Sequence, residues 1–342
     1  MILPEGRGLF MRYKSFLFLF VAAMIGSRLI CCNSGSVESK TTVIVDQKVQ
    51  KKKKKDGKFD PSSISSTNRA FQGGVFEASG VVSVPGTDGV LFIDDGRADE
   101  VFWMRLDQEG NQVGAIKPVK LGVSVIDKEG ITFDGRWFYV VGSQSILKEE
   151  EPNSLVRFTF DPETQRVSNV QSAGGLYRFL TGEVDELKAY AGMKGKREAF
   201  NIEGLAWDPV QERLLIGFRD PLISGAALVV ALRLKDPNAP LSLENLTFAE
   251  PYAYRLALGG YAIRSIEYDG SLNLFQIIAG SPEAIKSKTE FKLWEWDGQQ
   301  YLAEKIALDP RMKPEGVTRI SRDGHNFLFI VCDLSGYFRL DE

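Results

Sequence analysis

Histidine is almost missing from this chain of 342 residues, which carries only His325. A Ser-His-Asp triad or a histidine-rich zinc site would rest on that one side chain, in the turn Arg322-Asp323-Gly324-His325-Asn326. Cysteine is scarce too, with three in all. Cys31 and Cys32 are adjacent near the N-terminus, so the body of the chain holds the single thiol Cys332, which excludes an internal disulfide and any Cys-x-x-Cys pair. Cys332 ends the apolar run Phe327-Leu328-Phe329-Ile330-Val331 and reads as a packing residue. The nucleophile-elbow, P-loop and dinucleotide-binding glycine motifs are absent. The formal net charge is only −3, which gives no basic surface for nucleic acid or an anionic bilayer.

What is present begins with a segment that reads as an export signal. Arg12 and Lys14 precede the apolar run Phe16 to Ile25, long enough for a signal peptide and short of the about 20 residues of a membrane span. Cys31 and Cys32 follow as candidate lipidation sites of a bacterial lipoprotein, although Ile30 or Cys31 stands where a small residue is usual. The expected product is a periplasmic or cell-envelope lipoprotein, or a secreted protein, that meets a membrane only through this segment (residues 1–32). Residues 33–68 are rich in Ser, Thr and Lys and include Lys51 to Lys55. Such a block cannot bury enough apolar surface to order itself and reads as a solvated tether. Residues 69–342 form the folded domain, expected to be a monomer.

The folded region is organised by an internal repeat. Ala78-Ser79-Gly80-Val81, Lys128-Glu129-Gly130-Ile131, Ile202-Glu203-Gly204-Leu205, Ile263-Arg264-Ser265-Ile266 and Pro314-Glu315-Gly316-Val317 each open a short alternating run. Each run ends in a turn (Asp88-Gly89, Asp134-Gly135, Asp208-Pro209, Asp269-Gly270, Asp323-Gly324) and is followed by an apolar strand. Aspartate-glycine between apolar runs is a hairpin signal, because the turn needs positive φ. The glycine positions, with Ser265 standing in the fourth, are spaced by 50, 74, 61 and 51 residues. A period near 50 matches one four-stranded propeller blade. The long interval has room for an insertion over 176–199, where Leu176, Leu180, Leu187, Tyr190 and Ala191 fall near helical spacing. The expected fold is all-β, a β-propeller of about five four-stranded blades, with a sixth or seventh requiring a degenerate blade. The last repeat is short, so its outer strand is expected from Arg69 to Phe76, closing the ring.

At these repeats the chain resembles a family of exported bacterial β-propellers catalogued as a domain of unknown function. The carrying residues are Glu129-Gly130-Ile131-Thr132, Val140-Val141-Gly142-Ser143, Asn201-Ile202-Glu203-Gly204-Leu205 and Leu215-Ile216-Gly217-Phe218-Arg219-Asp220-Pro221-Leu222. Ile263-Arg264-Ser265, Ala279-Gly280-Ser281-Pro282, Trp296-Asp297-Gly298 and Pro314-Glu315-Gly316-Val317 continue the pattern. The resemblance implies a propeller and export, and no activity. A looser similarity, in the Glu-Gly pair and architecture alone, is to calcium-dependent lactonase-type propellers, and one fold hosts many functions.

Propeller geometry sends the start of each innermost strand and the end of the second strand to one channel mouth. The candidate ligand-binding residues there are Ser79, Asp95, Lys128, Ser143, Asn201, Arg219 and Arg264. Glu129, Glu203 and Glu315 are candidate oxygen ligands for a hard cation such as calcium, with Asn201 beside them. The alternative is structural: the glutamates cap backbone amides and pair with Lys128, Arg219 and Arg264, while the glycines allow close packing at the axis. Two functions follow. One is binding of a small ligand, cation or partner at the mouth, and the other is cation-assisted hydrolysis of lactones, esters or phosphoesters.

Overall fold

The computed structural model describes residues 41–44 and 68–341 except 147, 284–289 and 323. The export segment with Cys31 and Cys32, most of the tether, and Asp323 lie outside the described residues.

Five antiparallel sheets carry the fold. Blade 1 contains Ala78–Ser83, Gly89–Asp94, Glu100–Leu106 and Gln112–Lys120, and blade 2 contains Lys128–Phe133, Phe138–Gly142, Leu155–Asp161 and Arg166–Ala173. Blade 3 is built from Asn201–Asp208, Arg213–Ile223, Ala226–Leu234 and Leu246–Leu256, and blade 4 from Ala262–Asp269, Leu274–Gly280, Phe291–Trp296 and Leu302–Leu308. Blade 5 takes Pro314–Arg322, His325–Cys332 and Gly336–Asp341 from the C-terminus and Arg69–Ala70 from the start of the domain. The first strand of each blade is innermost, and these five touch their neighbours in a closed cycle. The five-bladed, all-β propeller expected from the repeat is therefore the observed fold.

The repeated turns have a common physical cause. Asp134, Asp208 and Asp269 each accept a hydrogen bond from the backbone N–H two residues on, at 2.7, 3.0 and 3.0 Å. These side chains set the turn between first and second strands. Alternating Val, Ile, Leu and Phe then fill the layers between blades.

The ring closes as expected, by a shorter strand than expected. Arg69 and Ala70 pair with Tyr337 and Gly336, and Phe71 N donates to Ser335 O at 3.0 Å. Beyond that the contact changes from backbone to rings: Phe71 stacks on Phe92 at 5.1 Å and Phe76 meets Phe102 edge-on at 5.1 Å. Burial of Phe71 and Phe76 thus replaces the rest of the anticipated strand pairing.

The insertion holds an α-helix, Leu176–Glu183, and a 3-10 helix, Asp185–Tyr190. Leu176, Leu180 and Leu187 are buried against the layer between blades 2 and 3. One segment departs from the compositional reading. Thr41–Ile44, assigned to the tether, is a strand paired in parallel with the outer strand of blade 3, Thr41 opposite Ala253. Thr-Thr-Val-Ile is a β-branched run, and a local window would have marked it as strand.

Candidate functional site at the channel mouth

Each innermost strand carries a β-bulge at the same place. The register skips one residue between Ala78 and Gly80, Lys128 and Gly130, Ile202 and Gly204, Ile263 and Ser265, and Pro314 and Gly316. The skipped residues are Ser79, Glu129, Glu203, Arg264 and Glu315. A bulge frees a residue from the ladder and re-aims its side chain. All five line one cavity of about 500 Å³ at the channel mouth, so the five repeat positions converge around a single axis.

The residue after each bulge lies where neighbouring innermost strands come closest. A Cβ on Gly130 would sit 2.5 Å from Leu205 Cβ, and one on Gly316 would sit 2.8 Å from Gly80 Cα. Glycine is therefore required there by approach of backbones. Ser265 fills the fourth position, and its Oγ accepts from Val317 N at 3.3 Å. Further along the channel, Thr132 Oγ1 and Glu267 Oε2 meet at 3.3 Å from non-adjacent blades 2 and 4 and cross the axis.

The cavity wall holds seven carboxylates (Glu77, Asp95, Glu129, Glu203, Glu283, Glu315, Asp333) and four cations (Arg197, Arg219, Arg264, Lys313). The cations are already engaged. Arg264 sits between its neighbours, with Nε 2.6 Å from Glu315 Oε2 and 3.5 Å from Glu203 Oε2, and a second hydrogen bond from Nη2 to Glu315. Arg219 bridges Glu203 at 3.0 Å and Glu283 at 2.7 Å. Lys313 pairs with Asp333 at 2.8 Å. Arg197, delivered by the insertion, reaches Asp127 Oδ1 at 3.1 Å. The insertion is itself fastened by a buried pair, Lys194 with Glu151 at 2.9 Å.

On the side of blades 1 and 2 the charge is not compensated. Glu77, Asp95 and Glu129 have no ion-pair partner among the described residues. Asp95 Oδ1 is buried without a hydrogen-bond partner. One ligand oxygen from each of Asp95, Asp127 and Glu129 lies within 4.8 Å of the others. Burial, reinforced by Glu77 and Asp127, pushes the Asp95 carboxyl up to about 7. Burial, with Glu203 and Asp127 adding repulsion, holds Glu129 well above the ordinary range. Asp127 is raised by burial too, against the hydrogen bonds and charge that Ser143 and Arg197 supply.

The anticipated residues thus divide. Ser79, Asp95, Glu129, Glu203, Arg219, Arg264 and Glu315 line the cavity, and Lys128, Ser143 and Asn201 do not. Lys128 is fully buried, because the bulge at Glu129 leaves its own side chain on the other side of the strand. Its Nζ donates to Arg97 O, and burial lowers its pKa to about 8. Ser143 supports from behind by donating to Asp127, and Asn201 Nδ2 donates to Glu203 Oε1 at 2.8 Å. As for the three glutamates, Glu203 and Glu315 are held by arginines, and Glu129 is the one that converges with other carboxylates. Asp127, Glu77 and Lys313 were missed by sequence reasoning. Each stands two residues before a bulged position, and strand alternation would have placed them on the same side.

Residues 161–323 match the model of the family described as "Protein of unknown function (DUF3616)". No curated protein matches the sequence. Among solved structures, a glucose dehydrogenase is similar at 13% identity over 81% of this chain and 99% of its own, with a TM-score of 0.41. The glutaminyl cyclase of Myxococcus xanthus is similar at 12% identity over 80% of this chain and 92% of its own, with a TM-score of 0.42. The allergen Mala s 1 of Malassezia sympodialis is similar at 7% identity over 78% of this chain and 92% of its own, with a TM-score of 0.44. The resemblance to a propeller family of unknown function, expected from the repeats, is shown by the family match and the five blades.

Proposed function

We propose that this propeller is an exported binding module whose channel mouth takes a divalent cation, calcium being the best fit, and through it a small polar ligand. The observation that carries this reading is the cluster of Asp95, Asp127 and Glu129, of which Asp127 alone has an ion-pair partner, Arg197, in a mouth where every lining cation is already paired. Hard cations take carboxylate oxygens, and calcium accepts six to eight oxygen ligands, so three carboxylates leave positions for water and a ligand. Glu203, Glu315, Arg219 and Arg264 then frame the opposite wall. Because Thr132 and Glu267 cross the channel, the ligand enters and leaves by the mouth. Export, with Cys31 or Cys32 as lipid attachment, would place the site where calcium is abundant enough for a weak site to fill.

The pKa shifts give this proposal a sign. A carboxyl raised from its ordinary value toward about 7, as Asp95 is, stabilises the fold below about pH 4 and loses that contribution as pH rises through about 7. A cation needs these groups ionised, so its stabilising effect must grow over the same interval. Saturating calcium is therefore expected to raise the melting temperature by roughly 5 °C at about pH 8, equivalent to about 2.7 kcal/mol at a hundredfold excess over Kd, and by much less at about pH 5. Asp127→Asn and Glu129→Gln should each abolish the gain. Without calcium at about pH 8, Glu129→Gln should melt no earlier than the wild type, since it removes a repelled charge. An absent calcium effect at about pH 8, or a Glu129→Gln protein that is destabilised without the cation, would show that the carboxylates are structural.

A further inference from the structure

A second cavity lies at the other end of the innermost strands. It has a volume of about 440 Å³ and lies between blades 2 and 3. Its floor is apolar: Leu214 and Leu232 are buried, with Leu234, Pro237 and the face of Trp207 beside them. Trp137 forms part of the wall, is 7% exposed, and its indole N–H is buried without an acceptor. Arg157 and Arg136 lie 4.5 and 5.2 Å from its ring centre, which adds positive potential to that wall.

The rim carries three exposed cations, Arg136, Arg233 and Lys235. Among the described residues they hydrogen-bond to neutral oxygens: Arg136 to Asn238 Oδ1 at 3.2 Å, Arg233 to Gln211 O at 2.7 Å and Lys235 to Glu244 O at 2.7 Å. None forms an ion pair among the described residues. The acids of the rim do not balance them. Asp134 accepts from the backbone N–H groups of Arg136 and Trp137 and from Tyr139 Oη and keeps its charge, so the lining sets two carboxylates, Asp134 and Glu212, against three cations.

We infer that this cleft binds an amphipathic organic anion, one with an alkyl or aryl body and a carboxylate, sulfate or phosphate head. The apolar body would lie over Leu214, Leu232 and Trp207, where its burial drives binding. The head group would take hydrogen bonds from Arg233, Lys235 and Arg136, and the charge-assisted bonds replace weaker ones to neutral carbonyls. This site shares no residue with the channel mouth and does not rest on the cation proposal.

Decanoate is the probe, with 1-decanol as its uncharged counterpart. Calorimetric titration should show decanoate binding once per chain, with tryptophan fluorescence quenched in step, and decanol binding at least tenfold more weakly. The double variant Arg233→Glu/Lys235→Glu, altered only at exposed side chains, should weaken decanoate at least tenfold without shifting the melting temperature. Glu129→Gln at the mouth should leave the affinity unchanged. In the wild type, raising salt from about 20 to about 500 mM should weaken decanoate and spare decanol. Equal binding of acid and alcohol, or decanoate affinity indifferent to both salt and charge reversal, would overturn the inference.

Discussion

Arg264→Met is expected to cost about 3–5 kcal/mol of folding stability, the largest loss from any single mouth substitution, because it strands the buried Glu315 carboxylate and leaves Glu203 with Arg219 alone. Arg264 is 11% exposed and lies between Glu315 and Glu203, whose side chains are 7% and 4% exposed. Burial opposes its charge, and the two carboxylates outweigh that and raise its pKa. Methionine keeps much of the stem volume and removes the guanidinium alone. Glu315 would then have to take up a proton or remain charged without a partner. A carboxyl whose folded-state pKa is raised loses stability as pH climbs past its unfolded value, so the deficit should be greater at about pH 8 than at about pH 5. Urea denaturation at both pH values measures this. Glu315→Gln in the Arg264→Met background should recover a substantial part of the loss, since it withdraws the stranded charge. A deficit under about 1 kcal/mol, equal at both pH values, would mean that the ring of charge at the axis contributes little to holding the blades together.

Gly130→Ala should cost about 3 kcal/mol, the upper part of the range for overpacking. The added methyl would meet Leu205 Cβ at 2.5 Å and Leu205 N at 2.9 Å, and backbone cannot rotate aside as a flexible side chain does. The neighbouring innermost strand must move outward, and Glu129, one residue away on the bulge, moves with it. Calcium-dependent stabilisation should therefore weaken in the same variant. Gly182→Ala is the matched control. Gly182 lies in the helix Leu176–Glu183, and a methyl added there would meet nothing within 4 Å, so alanine should be neutral or stabilising by up to about 1 kcal/mol. If the two substitutions shift the urea midpoint alike, close approach of the innermost strands is not what demands glycine at the repeat.

Much of this organisation was legible along the chain because the signals are local and repeated. The Asp-Gly and Asp-Pro turns, the Glu-Gly landmarks and the apolar second strands mark each blade from a few adjacent residues. The helix from Leu176 was legible from spacing alone, and closure by the segment from Arg69 followed from the short last repeat. The bulged residue of each blade could be singled out for the same reason: a polar side chain immediately before an obligatory glycine recurs at Ser79, Glu129, Glu203 and Glu315, with Arg264 before Ser265. Lys128 was misplaced because it neighbours the bulged Glu129, and adjacent residues of a strand face opposite sides, so its side chain is buried away from the channel mouth. Thr41–Ile44 was overlooked because composition averaged over a lysine-rich segment hides four β-branched residues.

Sequence by itself determined the repeat of about five four-stranded blades and the position in each that reaches the axis, since both depend on periodicity within about fifty residues. Which carboxylates are neutralised was decided only in three dimensions. Glu203 and Glu315 gained Arg264 from a blade between them, whereas Glu129 gained Asp95 and Asp127. Coulomb energy depends on separation in space, and side chains brought to hydrogen-bonding distance along the channel are as much as 135 residues apart in the chain. Identical Glu-Gly dipeptides therefore acquire opposite electrostatic fates from the neighbours that the closed ring places beside them.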